Sequence, residues 1–244
     1  MKKHFISPFL FLGVCVFCFS SCASDFFGIK GKGKIVTETG SLGVFSSVQL
    51  TTSADVQILK SDSAFSVEVS DYENIIQYLS TAVVSNALVI STSPGTTILQ
   101  NSHAKVIVWM PDNLKSVVVT GSGTVQVDSS FISLQSLALS GSGNIKLNDT
   151  INVVKLTTNI MGSGNITAKG KVVMLVTGTS GSGNTYLSDL VAKDATCIIT
   201  GSGNMYVNAT DSLKATITGS GNIEYSGSPK IKSTITGSGA VKKK

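Results

Sequence analysis

The tripeptide Gly-Ser-Gly recurs seven times in the C-terminal half of the chain, beginning at Gly121, Gly141, Gly162, Gly181, Gly201, Gly219 and Gly237. The spacings are 20, 21, 19, 20, 18 and 18 residues. In the five middle copies the next residue is an asparagine (Asn144, Asn165, Asn184, Asn204 and Asn222), whereas the outer two carry Thr124 and Ala240. Self-similarity at so steady a period restricts a chain to a solenoid, because each unit can bury its apolar face only against its neighbours. Atypical first and last copies are what capping such a stack requires.

The residues flanking each tripeptide say which solenoid this is. Val119, Leu139, Ile160, Thr179, Ile199, Ile217 and Ile235 stand two positions before the first glycine. Val125, Ile145, Ile166, Thr185, Met205, Ile223 and Val241 follow the asparagine column, and Val127, Leu147, Ala168, Leu187, Val207, Tyr225 and Lys243 come two later. Polar residues fill most alternate positions, so the period is two and the segments are strands with one buried face. The expected fold class is therefore all-β, a single parallel β-helix (β-solenoid) with coils of about 20 residues. Glycine permits positive φ at a corner that every coil turns at the same height. Stacking at about 4.8 Å per coil then lines the five asparagines up as an amide ladder. Cys197 falls in the inward column of Val117, Leu137 and Ala215, as a small core hydrophobe. Three or four buried apolar side chains per coil, at about 1.5–3 kcal/mol each, offset the cost of ordering it. The fourth copy departs from the pattern, with Thr177, Thr179 and Thr185 in inward slots; a bulge or register shift near Gly178 is the expected reason.

Residues 42–110 lack the tripeptide but alternate like strands at Val48-Gln49-Leu50, Val56-Gln57-Ile58, Phe65 to Val69, Ala87 to Ser91 and Lys105 to Met110. Turn signals separate them, and Asp71 to Leu79 reads as a short helix or irregular link. No Pro/Gly-rich linker divides the halves. One domain over 42–244 is expected, with irregular N-terminal coils at 42–115 and the regular repeats at 116–244. Asp128, Asp149, Asp189 and Asn208 mark a second turn in each repeat.

The N-terminus sets the expected compartment. Lys2 and Lys3 precede an apolar run from Phe5 to Phe19, and Ser20-Ser21 lead to Cys22. This pattern predicts a lipoprotein signal peptide at 1–21, with Cys22 as the lipidated residue. Two or three acyl chains on one residue make a stable anchor, each buried methylene adding about 0.8 kcal/mol. Residues 22–41, Gly- and Lys-rich at their start, are expected to be a flexible tether. The expected location is the cell envelope, with the membrane as partner through the lipid anchor. Once Cys15 and Cys18 leave with the signal, no disulfide framework remains, and stability must come from packing.

Composition argues against several chemistries. All 19 basic residues are lysines. Without arginine, oriented phosphate and base contacts lose their usual guanidinium fork, so no nucleic-acid partner is expected. His103 is the one histidine after the signal segment, too few for a zinc cluster or a histidine triad. No cofactor and no metal are expected, and the chain reads as a non-enzyme. The enzymatic alternative is a polysaccharide-cleaving β-helix using Asp128, Asp149, Asp189 and Asp211, whose unequal offsets suit turns better than paired catalytic carboxylates. Asp62-Ser63-Ala64, Asp149-Thr150-Ile151 and Asp211-Ser212-Leu213 resemble an O-glycosylation pattern. A hydroxyl column remains: Thr120, Ser140, Ser180, Thr200, Thr218 and Thr236 precede their tripeptides, with Thr216 and Thr234 alongside. Thr200, Thr216, Thr218, Thr234 and Thr236 form the candidate binding face, facing a glycan or a cell-surface protein. A structural envelope protein without a discrete ligand is the other alternative.

Several segments together resemble the head GIN domain family, whose name ties it to auto-transporter adhesins. They are Val44-Phe45-Ser46-Ser47-Val48, Ser53-Ala54-Asp55-Val56, Asp71-Tyr72-Glu73-Asn74-Ile75-Ile76, Leu88-Val89-Ile90, Met110-Pro111 and the Gly-Ser-Gly-Asn-Ile units. The resemblance covers residues 42–240. It implies a parallel β-helix outside the cytoplasm and an adhesion role, and it supplies no site residues.

Overall fold

Five of the six apolar positions two residues before the tripeptides, Val119, Leu139, Ile160, Ile199 and Ile217, are at most 1% exposed. They line the core of a parallel β-solenoid in the computed structural model, which describes residues 28–95 and 99–244. The fold is nearly all β. The N-terminal half contributes β1 (Ile29–Lys30), β2 (Ile35–Ser41), β3 (Ser47–Leu50), β4 (Asp55–Lys60), β5 (Ser66–Tyr72), β6 (Leu79–Val84), β7 (Ala87–Thr92), β8 (Leu99–Gln100) and β9 (Lys105–Met110). The shorter strands β10 (Ser116–Val119), β11 (Thr124–Val127) and β12 (Ser136–Gly141) follow. Long, bent strands then take over: β13 (Asn144–Gly162), β14 (Asn165–Gly181), β15 (Asn184–Gly201) and β16 (Met205–Gly219). The last are β17 (Asn222–Ser226), β18 (Lys230–Thr236) and β19 (Ala240–Lys243).

Two long faces result. The face before the Gly-Ser-Gly corner stacks β7, β3, β10 and β12, then the C-terminal parts of β13 to β16, then β18, all parallel. The face after it stacks β9, β4 and β11, then the N-terminal parts of β13 to β16, then β17 and β19. The stack does not follow the chain at its N-terminal end. The β3–β4 coil lies between the later β7/β9 coil and the β10–β11 coil. The chain therefore adds its second coil beneath the first and then returns to build upward.

Both glycines of the tripeptide are needed for the corner to repeat. The first has positive φ from Gly141 onward, between 119° and 135°, where a Cβ is disfavoured. The third has no room for one: a Cβ on Gly164 would come within 2.0 Å of the Gly143 carbonyl oxygen, and on Gly203 within 2.1 Å of that of Gly183. This closeness lets one glycine carbonyl accept two N–H groups from the coil above. The Ser182 and Gly183 amides donate to the Gly162 oxygen at 3.0 and 2.9 Å, and those of Ser202 and Gly203 to Gly181 at 2.9 and 3.1 Å. The corner thus continues the backbone ladder where a loop would interrupt it.

Several expectations are corrected. Part of the predicted tether is ordered strand: β2 pairs antiparallel with β5 from Ile35↔Tyr72 to Ser41↔Ser66. The free edge of β5 supplies the partners, while β2 buries almost no side chain and so shows no apolar period. There is no shift at Gly178: Thr177↔Cys197, Gly178↔Ile198 and Thr179↔Ile199 run in unbroken register. The inward threonines satisfy one another instead, with the Thr158 hydroxyl donating to Thr177 at 2.8 Å and Thr179 and Thr185 3.4 Å apart. The second turn is a third strand segment, Thr150–Val153 pairing with Lys169–Val172, set off by a register shift between Lys146 and Thr150. The link at 71–79 is the end of β5 and a 3₁₀ turn at Ile76–Tyr78. The N-terminal coils are also edged by antiparallel pairs, β5 with β9 and β6 with β7.

Candidate functional site

The five threonines of the candidate face come from three successive strands and meet on one surface. Thr200 pairs in register with Thr218, Thr218 with Thr236, and Thr216 with Thr234. Thr200, Thr218, Thr234 and Thr236 are exposed and Thr216 is half-buried. Alternation puts Ile199, Ile217 and Ile235 between them on the opposite side of the sheet, the first two fully buried. The hydroxyls are therefore held on a rigid, regularly spaced backbone. Further along the same face the columns continue through Ser180, Met161, Ser140 and Thr120, where exposed Met161 interrupts the hydroxyls.

The asparagines form a chain of side-chain amides up the adjacent corner. Each Nδ2 donates to the Oδ1 below it: Asn165 to Asn144 at 3.0 Å, Asn184 to Asn165 at 3.3 Å, Asn204 to Asn184 and Asn222 to Asn204 at 3.2 Å. The Asn204 and Asn222 backbone amides also donate to the Oδ1 beneath them, at 3.0 and 3.2 Å. These amides are half-buried and spend their hydrogen bonds on one another.

The turn aspartates go separate ways. Asp128 accepts from Gln57 and Asn148, both at 2.6 Å, and Asp211 faces Lys193 at 3.7 Å. Asp149 and Asp189 are exposed. Among the described residues no group of three or more His, Cys, Asp or Glu is placed to hold a metal ion. His103 is exposed, with its ring edge-on to Tyr72 at 5.5 Å. The hydroxyls of Ser63, Thr150 and Ser212 belong to exposed residues. Cys197 is buried and free, and burial pushes its thiol up to about 12. The signal segment and Cys22 lie outside the described residues. No helix among the described residues is long and apolar enough to cross a membrane.

The segment Asp71 to Ile76 has a structural explanation. Asp71 is wholly buried, its Oδ1 accepting the Tyr72 and His103 amides at 2.7 and 3.0 Å and its Oδ2 the Ser102 hydroxyl. Asn74 accepts from the Lys32 amide and donates to the Lys30 carbonyl, both at 2.9 Å. Ile75 and Ile76 are buried. This segment ties the first strands to the N-terminal coils. A family model described as "Putative auto-transporter adhesin, head GIN domain" matches residues 44–229. The chain belongs to the head GIN domain family. Solved structures agree with this head GIN assignment. A "putative lipid binding protein" from Parabacteroides distasonis is 28% identical, with a TM-score of 0.75 over 88% of this chain and 99% of that one. A "putative adhesin" from Bacteroides fragilis is 25% identical, with a TM-score of 0.79 over 89% of this chain and 100% of that one. A "putative adhesin" from Parabacteroides merdae, 21% identical over 89% of this chain and 99% of that one, with a TM-score of 0.71, shares the fold. No curated protein matches the chain.

Three surface features of this head GIN domain escape sequence reading. Tyr186 and Tyr206 stand in register with rings stacked at 5.3 Å and 3°. Each ring covers one face of the other, so they brace the sheet, and Tyr186 remains exposed. An open groove of about 600 Å³ is lined by Ile132, Leu134, Val153 and Val154, among others. Exposed Ile132 and Val154 lie on its rim, with Val173 and Met174 in the next strand. Lys214 and Lys232 pair in register beside the threonines. The only sequence signal for the tyrosines and the lysines was that each pair is separated by one coil length. The groove joins residues from two coils and left no such signal.

Proposed function

We propose that this head GIN domain is a non-catalytic binding module of the cell envelope that docks a glycan or a cell-surface protein on its threonine face. The observation that carries this reading is the in-register set Thr200, Thr216, Thr218, Thr234 and Thr236, displayed on one sheet over buried Ile199 and Ile217. Backbone strands hold these hydroxyls without further ordering cost, which favours binding to an extended partner. Family membership and relatives named as adhesins support an envelope location and a non-enzymatic role. Export and anchoring through Cys22 complete the proposal, with the β-solenoid held outside the membrane. The test is a glycan and surface-protein array probed with the purified chain and with the triple variant Thr216→Val, Thr218→Val, Thr234→Val. Saturable binding lost in the variant supports the reading; binding that survives, or no binding to any element of the array, overturns it. Protease accessibility on intact cells, with Cys22→Ala as control, tests the anchor.

A second reading is lipid contact at the groove beside Ile132 and Val154, in keeping with the Parabacteroides distasonis relative's name. Vesicle co-sedimentation that is abolished by Ile132→Asp with Val154→Asp would favour it over the threonine face.

A further inference from the structure

Positive charge outweighs negative on the threonine face. Its outward positions, followed through β3, β7, β10, β12, the C-terminal parts of β13 to β16 and β18, hold Lys155, Lys214, Lys230 and Lys232 against one carboxylate, Asp194, which pairs in register with Ser212. Lys214 and Lys232 stand one directly above the other in neighbouring parallel strands, both exposed. Strands are about 4.8 Å apart, so the stems leave the sheet side by side, and like charges directly opposite are destabilising. Neither lysine forms an ion pair among the described residues. At the adjoining corner Lys193 faces Asp211 at 3.7 Å, and on the face itself Asp194 accepts from the Ser212 hydroxyl. A cationic pair with no ion-pair partner among the described residues therefore sits at one end of a hydroxyl array, with Thr216 and Thr234 two residues beyond it.

We infer that this face binds an acidic polysaccharide, a chain of uronate sugars, with Lys214 and Lys232 meeting sugar carboxylates and the threonine hydroxyls meeting sugar hydroxyls. The inference rests on the reading of the threonine face as the docking surface and names the class of ligand it takes. A predominantly cationic face complements a polyanion and excludes acidic proteins less well than it excludes cationic ones, so charge alone does not select the glycan. The hydroxyl rows do that: they offer donors and acceptors at a repeat, and the absence of any aromatic side chain on this face removes the platform on which a nucleic-acid base would stack. Lysine suits the task because an ammonium on a flexible stem follows carboxylates whose spacing differs from the strand repeat.

The experiment measures binding of the purified chain to polygalacturonate, neutral dextran and poly-L-glutamate at low and physiological salt. The expected result is saturable binding to polygalacturonate alone, weakened about tenfold by the double variant Lys214→Gln, Lys232→Gln and by added salt. Lys171→Gln, elsewhere on the solenoid, is expected to leave it unchanged. Polygalacturonate binding untouched by the double variant overturns the inference, as does equal binding to poly-L-glutamate, which would mark a surface that reads charge without reading sugar. The two readings fail separately. If the threonine-to-valine variant loses its array ligand while the lysine variant keeps it, the face stands and the uronate inference falls. If the valine variant loses nothing, the face itself falls. Circular dichroism melts of every variant, expected to match the parent, show that losses come from the surface.

Discussion

At the scale of the residue, the third glycine of each tripeptide is where sequence and structure are most tightly bound. A Cβ on Gly183 would meet the Gly164 oxygen at 2.5 Å and the Ile160 side chain at 2.6 Å. Gly183→Ala is expected to destabilise by at least about 2 kcal/mol in urea unfolding, while exposed Ser182→Ala stays within about 0.5 kcal/mol. Cys197 makes a second residue-scale test. Burial raises its thiol from 9.0 to about 12. The unfolded chain then releases this proton first, so the contribution to stability is full below pH 9 and declines as pH rises toward 12, by up to about 1.4 kcal/mol per unit. Unfolding free energies against pH should fall more steeply for the parent than for Cys197→Ala over that window. A thiol reagent at pH 8 should label Cys197 only after unfolding.

Elements are held by repetition, and their cost of damage depends on position in the stack. Asn184 accepts two hydrogen bonds from Asn204 and donates one to Asn165, whereas Asn222 donates both of its bonds to Asn204 at the end of the ladder. Asn184→Ala leaves partners unpaired on both sides, so it should cost about 1–3 kcal/mol, against about 1 kcal/mol or less for Asn222→Ala, read from thermal or urea unfolding. Period-two alternation made the strands legible, but their ends were not. The third segment at Thr150–Val153 went unread because a strand rounding a corner shifts register, and the shift erases the alternation that would announce it. The inward Thr177 looked like a defect for a related reason: its hydroxyl partner, Thr158, lies one coil away, 19 residues along the chain, beyond any local pattern.

For the whole molecule, the order of coils in space gives the clearest test. β3 and β4 lie early in the chain yet are sandwiched between two coils, while β18 is exposed throughout. Hydrogen exchange should show β3 and β4 amides protected like those of β14, and β18 amides exchanging first. Sequence by itself determined the solenoid, its corner glycines, its inward columns and the asparagine ladder, because each depends on a neighbour at a fixed offset and a repeat writes that offset into the chain. It also marked the hydroxyl column that became the candidate face. Only the tertiary structure decided that the second coil goes beneath the first, that β2 completes the sheet where a tether was expected, and that Lys214 and Lys232 stand together unpaired. Those outcomes turn on which free edge a strand finds and which charge fails to find a partner. Backbone hydrogen bonding is nearly blind to side-chain identity, so such choices leave no periodic trace in the residues that make them.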